Sequence, residues 1–342
     1  MPVSDYVIDD QSGASFRTEI NAIIQALLGA GKNAIINGGF EVWQRGTGST
    51  SCTAGNRTFL ADRFYINPTG AAVNQLRSTT VPSNNRSKFS LEIQGAASVT
   101  TVLVGQRIES ALIAKVKQSV TFSAQIYNGS GAAFTPKLKL GTPTAEDNFT
   151  TVNNRLDQSL SSCSDSAWTE VEYTVDISGY TDIDNGLQVE IEIPSGSLVA
   201  SDTVRIAQVQ LREGSGGDEY MSSGPGIEQA HCKRYYHRID ADQAYTMFAT
   251  GHSNTITNAR IVIPLSEMRT VPTFTSSGNF RLIQGASAIA VAGLALPVSG
   301  VEANSENPMI EATVASGLSA GYACDLTANN DSSAYLAFDA EL

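Results

Sequence analysis

The ten residues Asn37–Gly46 read NGGFEVWQRG and mark the point at which a polar N-terminal region gives way to a β-rich sequence. Two adjacent glycines permit a tight or left-handed backbone just before the apolar residues Phe40, Val42 and Trp43. A cluster of such large side chains needs a core to cover it. We therefore predict that this stretch is the first strand of a β-sandwich, with Phe40 and Trp43 as its anchors.

Short apolar segments come after this stretch and carry the strand signal. They are rich in β-branched residues, alternate in part between polar and apolar positions, and are separated by Gly, Asn, Ser and Pro. Such spacing is typical of an antiparallel sandwich of the jelly-roll type, and no strand–helix–strand alternation suggests a doubly wound fold. The six segments are Phe89–Ile93, Val102–Ile108, Ser119–Tyr127, Trp168–Ile177, Leu187–Ile193 and Thr203–Leu211.

A glycine-rich break at Glu213–Gly226 reads as a linker to a second β region. The sequence therefore predicts a mainly β chain, in which a jelly-roll-like β-sandwich at 34–225 is followed by a second β-sandwich domain at 226–342. The strands expected in the second region are Tyr245–Thr250, Ala259–Pro264, Thr273–Ser276, Phe280–Ile283, Ile310–Val314 and Ala334–Phe338.

Residues 1–33 predict a different element, a short N-terminal amphipathic helix. Glycines at positions 29 and 31 end the pattern and isolate it from the β-rich region. The helix either packs on its own domain or serves for oligomerisation and attachment to a larger particle. The apolar residues that recur at helical spacing, and would form the oligomerisation or attachment face, are Ile20, Ile23, Ile24, Leu27 and Leu28.

Charge and composition narrow the classes of partner. The formal net charge is −12, which argues against nucleic acid, since its binders displace counterions with Lys and Arg. An anionic membrane surface is disfavoured for the same reason. The apolar runs are too short for a membrane helix, and the N-terminus lacks a signal-peptide pattern, so we expect synthesis in a cytoplasm without membrane insertion. The four scattered cysteines predict buried thiols rather than a disulfide framework.

Several motifs, in order over roughly residues 34–240, resemble known families. Asn37–Glu41 is similar to the opening of jelly-roll carbohydrate-binding modules. The remaining stretches resemble phage tail and tail-fibre proteins, and the C-terminal ones resemble the β domain at the end of such fibres. These stretches are Trp43–Gly46, Ala61–Phe64, Gly105–Glu109, Val120–Ala124, Ala207–Leu211, Glu228 with Cys232–Tyr236, and Pro264 with Met268–Pro272.

The resemblance implies a phage virion protein made in the host cytoplasm. It points to a tail fibre subunit that recognises host-surface glycan and adheres to it. A homotrimer bound to other virion tail proteins is implied by the same analogy. The alternative is a head decoration, cement or fibre-shaft protein that binds no glycan. A depolymerase is a third interpretation, but no pair of carboxylates stands in a recognisable catalytic context, so we expect no enzyme activity.

Candidate sites remain few at the level of sequence. Related modules hold calcium near the opening motif, completed by an acid in the last strand, but Ala207 and Gln208 stand there instead. The oxygen-rich turn around Asp182 and Asp184 is the remaining calcium candidate, and no other cofactor is expected. Sugar-recognising sandwiches often stack a ring on an exposed aromatic side chain. The glycan-stacking candidates are Trp168, Tyr235, Tyr236 and Tyr245.

Overall fold

A computed structural model of the chain describes residues 33–113, 118–200, 202–214, 216, 219–296 and 304–342. The predicted attachment helix, with Ile20, Ile23, Ile24, Leu27 and Leu28, lies outside the described residues. Within the described ranges the chain is mainly β, as the sequence predicts. None of the helices described there is long and apolar enough to cross a membrane.

The chain forms two compact units. The first unit contains the described residues up to Glu41 together with Gly48–Thr58 and Tyr65–Pro225. The second unit contains Gly226–Leu342 and also two short earlier segments, Val42–Thr47 and Phe59–Phe64. The first unit therefore follows a discontinuous path, and half of the stretch Asn37–Gly46 belongs with the C-terminal residues.

The first unit is a β-sandwich of two six-stranded sheets, and every pairing in the registers described for them is antiparallel. Successive strands pass between the sheets, as in a jelly roll. The front sheet contains, in spatial order, β1 (Thr50–Cys52), β4 (Val73–Ser78), β5 (Ser90–Gln94), β12 (Thr203–Glu213), β7 (Ser119–Gly129) and β10 (Ala167–Asp176). The back sheet contains β2 (Thr58–Phe59), β3 (Tyr65–Thr69), β6 (Thr101–Ile108), β11 (Leu187–Ile193), β8 (Lys137–Ala145) and β9 (Asn148–Ser159).

Alternation of apolar and polar side chains explains why these strands form two layers. On β7, Phe122, Ala124 and Ile126 are buried in the core, and on β11 Val189 and Ile191 are buried in the same way. The short helix α1 (Ser110–Ile113) and a 3-10 turn (Ile183–Asn185) join strands at the end of the sandwich.

The second unit is also built of strands. A three-stranded sheet contains β13 (Tyr236–Asp240), β21 (Tyr335–Asp339) and β16 (Thr273–Ser277), and helix α2 (Pro225–Lys233) precedes it. The strands expected here are present, and the second β domain takes the form of a closed barrel rather than an open sandwich. The barrel contains, in spatial order, β14 (Met247–Ser253), β15 (Asn258–Val262), β19 (Met309–Val314), β18 (Ser287–Ala295), β17 (Phe280–Gln284) and β20 (Ala323–Ala328).

The stretch Asn37–Gly46 is not a strand, and that prediction is wrong. Asn37 and Phe40 both have positive φ, at 62° and 53°, so the backbone turns instead of extending. The amide of Phe40 donates to the carbonyl of Asn37 at 2.9 Å, and the amide of Glu41 donates to the Asn37 side chain at 2.9 Å. The stretch is therefore a tight turn closed by its own asparagine.

This turn is held against β12 and the back sheet. The amide of Val209 donates to the carbonyl of Gly38 at 2.9 Å. The side chain of Gln106, buried on β6, accepts a hydrogen bond from the amide of Ile36 at 2.8 Å. It also donates a hydrogen bond to the carbonyl of Ile36 at 2.8 Å. The opening motif thus packs beside β12, and the buried side-chain amide of Gln106 fixes its position.

All four cysteines are free and buried, which confirms the prediction of buried thiols. The described residues contain no disulfide. Burial also raises the pKa of the Cys52 thiol to about 12 and that of Cys163 to about 11. These thiols pack as small apolar groups.

Candidate glycan-binding site

The outward face of the front sheet carries a groove lined by polar side chains. Its volume is about 320 Å³, within the range of small-ligand sites. The floor is buried, and the rim, formed in part by Asn84 and Glu219, is exposed. The lining residues are Asn84, Arg86, Ser123, Ala124, Gln125, Glu170, Gln208, Gln210, Glu219 and Tyr220.

The polar groups of the groove hold one another in place. The amides of Gln208 and Asn84 form a reciprocal pair, with donor–acceptor distances of 2.7 and 3.0 Å. Gln210 donates to the hydroxyl of Ser123 at 2.8 Å. Such a network fixes side-chain orientation before any ligand arrives, which lowers the entropy lost on binding. Amides and hydroxyls in fixed positions are suited to ligands that carry many hydroxyl groups.

A bulge in β12 shapes this floor. Register with β7 shifts between Ala207 and Gln210, and Gln208 has a φ of 55°. The extra residue rotates Gln208 toward the Asn84 loop, although the alternation of β12 would otherwise direct it away. Ala207 lies opposite Gln125. Its small side chain leaves room between the Gln125 amide on β7 and the amides of Gln208 and Gln210 on β12.

An aromatic row lies beside the groove on the same face. Trp168 of β10 stands opposite Tyr127 of β7, and their ring centroids are 5.6 Å apart. The guanidinium of Arg205 lies 4.9 Å from the centroid of the Tyr127 ring and is paired with Glu92 at 2.6 Å. Trp168 and Tyr127 are both half-buried, so each ring keeps some exposed surface. The sequence-predicted stacking candidate Trp168 is therefore on the same sheet face as the groove.

The opposite end of the groove is covered. The amide of Gly216 donates to the hydroxyl of Thr121 at 2.9 Å, and that hydroxyl donates to the carbonyl of Gly214 at 2.7 Å. A Cβ on Gly216 would lie 2.0 Å from a carboxylate oxygen of Glu172. Gly214 and Gly216 therefore lie next to Thr121, at this end of β7.

Among the described residues, the outward face of the back sheet offers no comparable opening at its centre. Tyr65 is fully buried there and donates to Glu190 at 2.8 Å, and burial raises its pKa far above the usual range. Arg107 is also buried and donates to Gln188 at 3.2 Å. A glycan ring therefore has no access to these side chains.

Two of the other stacking candidates are excluded by burial. Tyr235 is fully buried, with the guanidinium of Arg63 lying 3.5 Å from its ring centroid. Tyr236 is 8% exposed, and the guanidinium of Arg45 lies 3.6 Å from its ring centroid. The two tyrosines are thus core components of the second unit, and the prediction that they stack on a glycan is wrong.

Tyr245 differs from these two tyrosines. It lies in the second unit, is 52% exposed, and packs against Arg281 with 4.4 Å between the guanidinium and the ring centroid. An open pocket of about 370 Å³ lies beside Tyr245 and is lined also by Asp242, Gln243, Ala244 and Thr246. Tyr245 therefore stays a glycan-stacking candidate in the second unit.

Asp182, one of the two calcium candidates, contacts other side chains of the first unit. The carboxylate of Asp182 accepts a hydrogen bond from Thr142 at 2.7 Å and one from Asn153 at 2.8 Å, and it is paired with Arg155. Partial burial acts to raise the pKa of Asp182, but the hydrogen bonds from Thr142, Asn153 and Arg155 together outweigh it, so the pKa is lowered. We therefore assign Asp182 to this ion pair rather than to calcium. Asp184 belongs to no group of three potential metal ligands, since none occurs among the described residues.

In the second unit, burial shifts the pKa values of Asp62 and His237 in opposite directions. Burial raises the pKa of Asp62 from 3.8 to about 6, although Arg45 opposes the shift. Stability contributed by Asp62 is therefore present below pH 3.8 and lost as the pH rises through 6. Burial lowers the pKa of His237 from 6.5 to about 4, and Lys233 adds to the effect. Stability contributed by His237 is present above pH 6.5 and lost as the pH falls through 4.

We expect the two variants Asp62→Asn and His237→Gln to give opposite pH slopes between pH 4 and 6. In Asp62→Asn the free energy of unfolding of the second unit should rise with pH, and in His237→Gln it should fall, each by up to about 1.4 kcal/mol per pH unit. Urea unfolding followed by Trp43 fluorescence in a Trp168→Phe background measures both. Equal slopes in the two variants would contradict the assignment.

Sequence reasoning missed most of the groove. Gln125 is on β7 and Gln208 and Gln210 are on β12, and the motif Ala207–Leu211 gives no sign that its amides meet Gln125 and Asn84. One signal was visible, because Ala207 and Gln208 depart from the acids expected in the last strand of a calcium-binding module. That departure coincides with the bulge that forms the groove floor.

Comparisons with known proteins return sandwich modules and one phage protein. No protein-family model and no curated protein sequence matches the chain. A xylan-binding module from Paenibacillus barcinonensis matches at 14% identity over 44% of this chain and 91% of its own, with a TM-score of 0.32. A family 11 carbohydrate-binding module from Clostridium thermocellum, in complex with a mixed-linked tetrasaccharide, matches at 12% identity over 50% and 99%, with a TM-score of 0.31.

One match from a phage is the enzymatically active domain of tailspike protein 4 of bacteriophage CBA120. It is 10% identical over 54% of this chain and 22% of its own, with a TM-score of 0.33. These TM-scores are too low to carry a conclusion about fold or function, so the description of a jelly-roll-like sandwich rests on the strand order of this chain. The site is likewise defined by the chain's own groove.

Proposed function

We propose that this chain is a phage virion protein, a tail fibre subunit that adheres to host-surface glycan through the groove of the front sheet. The observation that carries the glycan-binding part is the preformed amide and hydroxyl floor with the half-buried ring of Trp168 on the same sheet face. Sugars present both hydroxyl groups and an apolar ring face, and this surface is complementary to both. The virion setting is supported by the ordered sequence motifs at 34–240.

Adhesion by such a subunit is multivalent. A single shallow groove of this volume supports weak binding, and several copies in a closed assembly raise the overall avidity by orders of magnitude. We propose a homotrimer attached to other virion tail proteins, by analogy with fibres. The net charge of −12 is compatible with a neutral surface ligand and unfavourable for nucleic acid.

We further propose that the chain binds glycan without cleaving it. Two carboxylates, Glu170 and Glu219, line the groove, and a glycosidase needs one carboxyl kept protonated by apolar surroundings. The Glu219 side chain is instead 72% exposed and paired with Arg86. Release of reducing sugar from host envelope polysaccharide, abolished in Glu170→Gln, would establish an enzyme in place of an adhesin.

The test compares glycan binding by single variants of the full chain. On an array of bacterial-surface and plant oligosaccharides, we expect binding by the wild type, and a loss of about tenfold in affinity for Trp168→Ala. Gln125→Ala, on the same face, should weaken binding by about fivefold through a lost hydrogen bond. The matched control is Tyr245→Ala, which removes an exposed aromatic ring from the second unit.

Three outcomes decide between the hypotheses. Binding that depends on Trp168 and Gln125 and not on Tyr245 supports the groove. Binding that depends on Tyr245 places recognition on the second unit. No binding to any glycan, together with labelling of the capsid by an antibody to this chain, favours the alternative of a head decoration, cement or shaft protein.

A further inference from the structure

We infer that Asn84 donates a hydrogen bond to the glycan in the groove, and that Gln208 is a positioning residue that holds Asn84 in place without contacting the ligand. This inference rests on the proposed glycan binding and assigns roles to two of the residues that line the groove. It follows from the place where β12 leaves its neighbour β5, from the hydrogen bonds of the Gln208 amide, and from the exposure of Asn84.

Gln208 lies just beyond the point where the ladder between β5 and β12 stops. The last pair of that ladder is Ile206 with Leu91, and the bulge in β12 begins at the next residue, Ala207. From there on, the loop between β4 and β5, which carries Asn84, lies beside β12 in place of a strand. A side-chain contact from Gln208 therefore takes over from the backbone hydrogen bonds of the ladder. Bulges often re-aim a side chain next to a functional site in this way.

The amide of Gln208 uses both of its N–H groups within the protein. Gln208 is 3% exposed, and its Nε2 donates to Oδ1 of Asn84 at 2.7 Å and to the hydroxyl of Ser87 at 3.4 Å. Its Oε1 accepts a hydrogen bond from Nδ2 of Asn84 at 3.0 Å. A carboxamide carries two N–H groups, so Gln208 has none to donate to a ligand. Its left-handed backbone, with a φ of 55°, persists only where the surroundings fix it, and these bonds to the loop contribute to that.

Asn84, in contrast, is exposed at the rim of the groove. Its Oδ1 accepts from Gln208 and also from the backbone amide of Arg86 at 3.2 Å. Its Nδ2 donates to Gln208 and makes no second hydrogen bond within the described part of the chain, so one N–H remains for a ligand. Sugar hydroxyl oxygens accept such bonds. Gln125 stands on β7, on the other side of β12 from the Asn84 loop, so the two amides flank the floor of the groove.

A double-mutant cycle on the full-length chain tests both roles. Cellohexaose, xylohexaose, laminarihexaose and chitohexaose are titrated calorimetrically into the wild type, Asn84→Ala, Gln208→Ala and the double variant. For a probe that binds, each single variant should weaken the affinity by about fivefold. The double variant should weaken it no further, because both changes remove the same contact. The control is Ser83→Ala, at an exposed position of the same loop, which should change the affinity by less than about twofold.

The variant Asn84→Asp separates the donor from the position of the loop. Its carboxylate still accepts from Gln208 and from the Arg86 amide but carries no N–H, so the affinity should fall as far as in Asn84→Ala. Hydrogen exchange of the Arg86 amide should stay slow in Asn84→Asp and become at least about tenfold faster in Gln208→Ala, where the loop is released. If Gln208→Ala does not fold, Asn84→Asp still decides whether Asn84 is a donor.

The outcomes separate this inference from the proposed function. A loss of about twenty-fivefold in the double variant, the product of the two single losses, would show that Gln208 contacts the ligand itself and overturn its positioning role. Wild-type affinity in Asn84→Asp would overturn the donor role of Asn84. Either result leaves glycan binding by the groove intact, provided that Trp168→Ala and Gln125→Ala still weaken binding. Absence of wild-type binding to every glycan contradicts the proposed function, and this inference with it.

Discussion

Replacing Arg63 by Met is expected to destabilise the second unit by about 3–5 kcal/mol, because it leaves the buried Glu341 without its principal cation. The two side chains form an ion pair and are only 1% and 6% exposed. Arg63 also covers the ring of Tyr235, so the substitution removes a desolvated cation–π contact as well. Few single changes in this unit should cost as much.

The measurement follows the second unit alone. The chain has two tryptophans, and Trp43 belongs to the second unit while Trp168 belongs to the first. In a Trp168→Phe background, urea unfolding followed by fluorescence therefore reports on the second unit. The midpoint for Arg63→Met should fall steeply, while the far-ultraviolet signal of the first unit's sandwich persists at the same urea concentration.

The control and the compensating variant distinguish charge burial from loss of packing. Arg260 and Glu311 form an ion pair at 3.9 Å with side chains 35% and 32% exposed, so Arg260→Met should cost no more than about 1 kcal/mol. The double variant Arg63→Met with Glu341→Gln should recover part of the lost stability, because no uncompensated charge remains. Equal costs for Arg63→Met and Arg260→Met would show that the buried pair is not what stabilises this unit.

The ion pairs around Glu341 also give a structural role to the sequence motifs near Trp43 and Asp62. The Arg45 guanidinium contacts Asp62 at 3.4 Å, Asp339 at 3.1 Å and Glu341 at 3.5 Å. Gln44 donates to the carbonyl of Tyr236 at 2.6 Å. The residues that resemble phage tail proteins thus join two early segments to the C-terminal strand, which makes them scaffold rather than a ligand site.

Part of this arrangement could be predicted from the sequence. Apolar and polar residues alternate along β7, and this period of two is visible in the sequence alone. The partner of Arg45 could not be assigned from the sequence, although Asp62 lies only 17 residues away. The pair of Arg63 with Glu341 spans 278 residues, and nothing local in the sequence relates the two positions. Long-range pairing of this kind follows from topology.

The candidate site shows the same limit. Trp168, Tyr235 and Tyr236 are equivalent as sequence features, since each is an aromatic residue beside polar neighbours. Their different roles come from tertiary packing, which stacks Arg63 and Arg45 on the two tyrosines and leaves Trp168 only half-buried. Exposure of a single aromatic side chain cannot be derived from its neighbours in sequence when the covering residues come from distant segments.

The opening turn gives the second large effect: Gly38→Ala is expected to destabilise the first unit by about 3 kcal/mol or more. A Cβ at position 38 would lie 1.9 Å from the carbonyl oxygen of Val209. That atom is backbone of a central strand and cannot move aside as a flexible side chain would. The turn must shift instead, which breaks the hydrogen bond between the Val209 amide and the Gly38 carbonyl.

Neighbouring glycines supply the controls for this prediction. Gly48 has no atom near a built Cβ, so Gly48→Ala should change the free energy of unfolding by no more than about 0.5 kcal/mol. At Gly39 the obstacle is the hydroxyl of Tyr220, 2.6 Å from the Cβ, and Tyr220→Phe removes it. Gly39→Ala should therefore regain stability when combined with Tyr220→Phe, whereas Gly38→Ala should not. Trp168 fluorescence in a Trp43→Phe background follows the first unit, and rescue of both glycine variants by Tyr220→Phe would show that backbone approach at Val209 is not the cause.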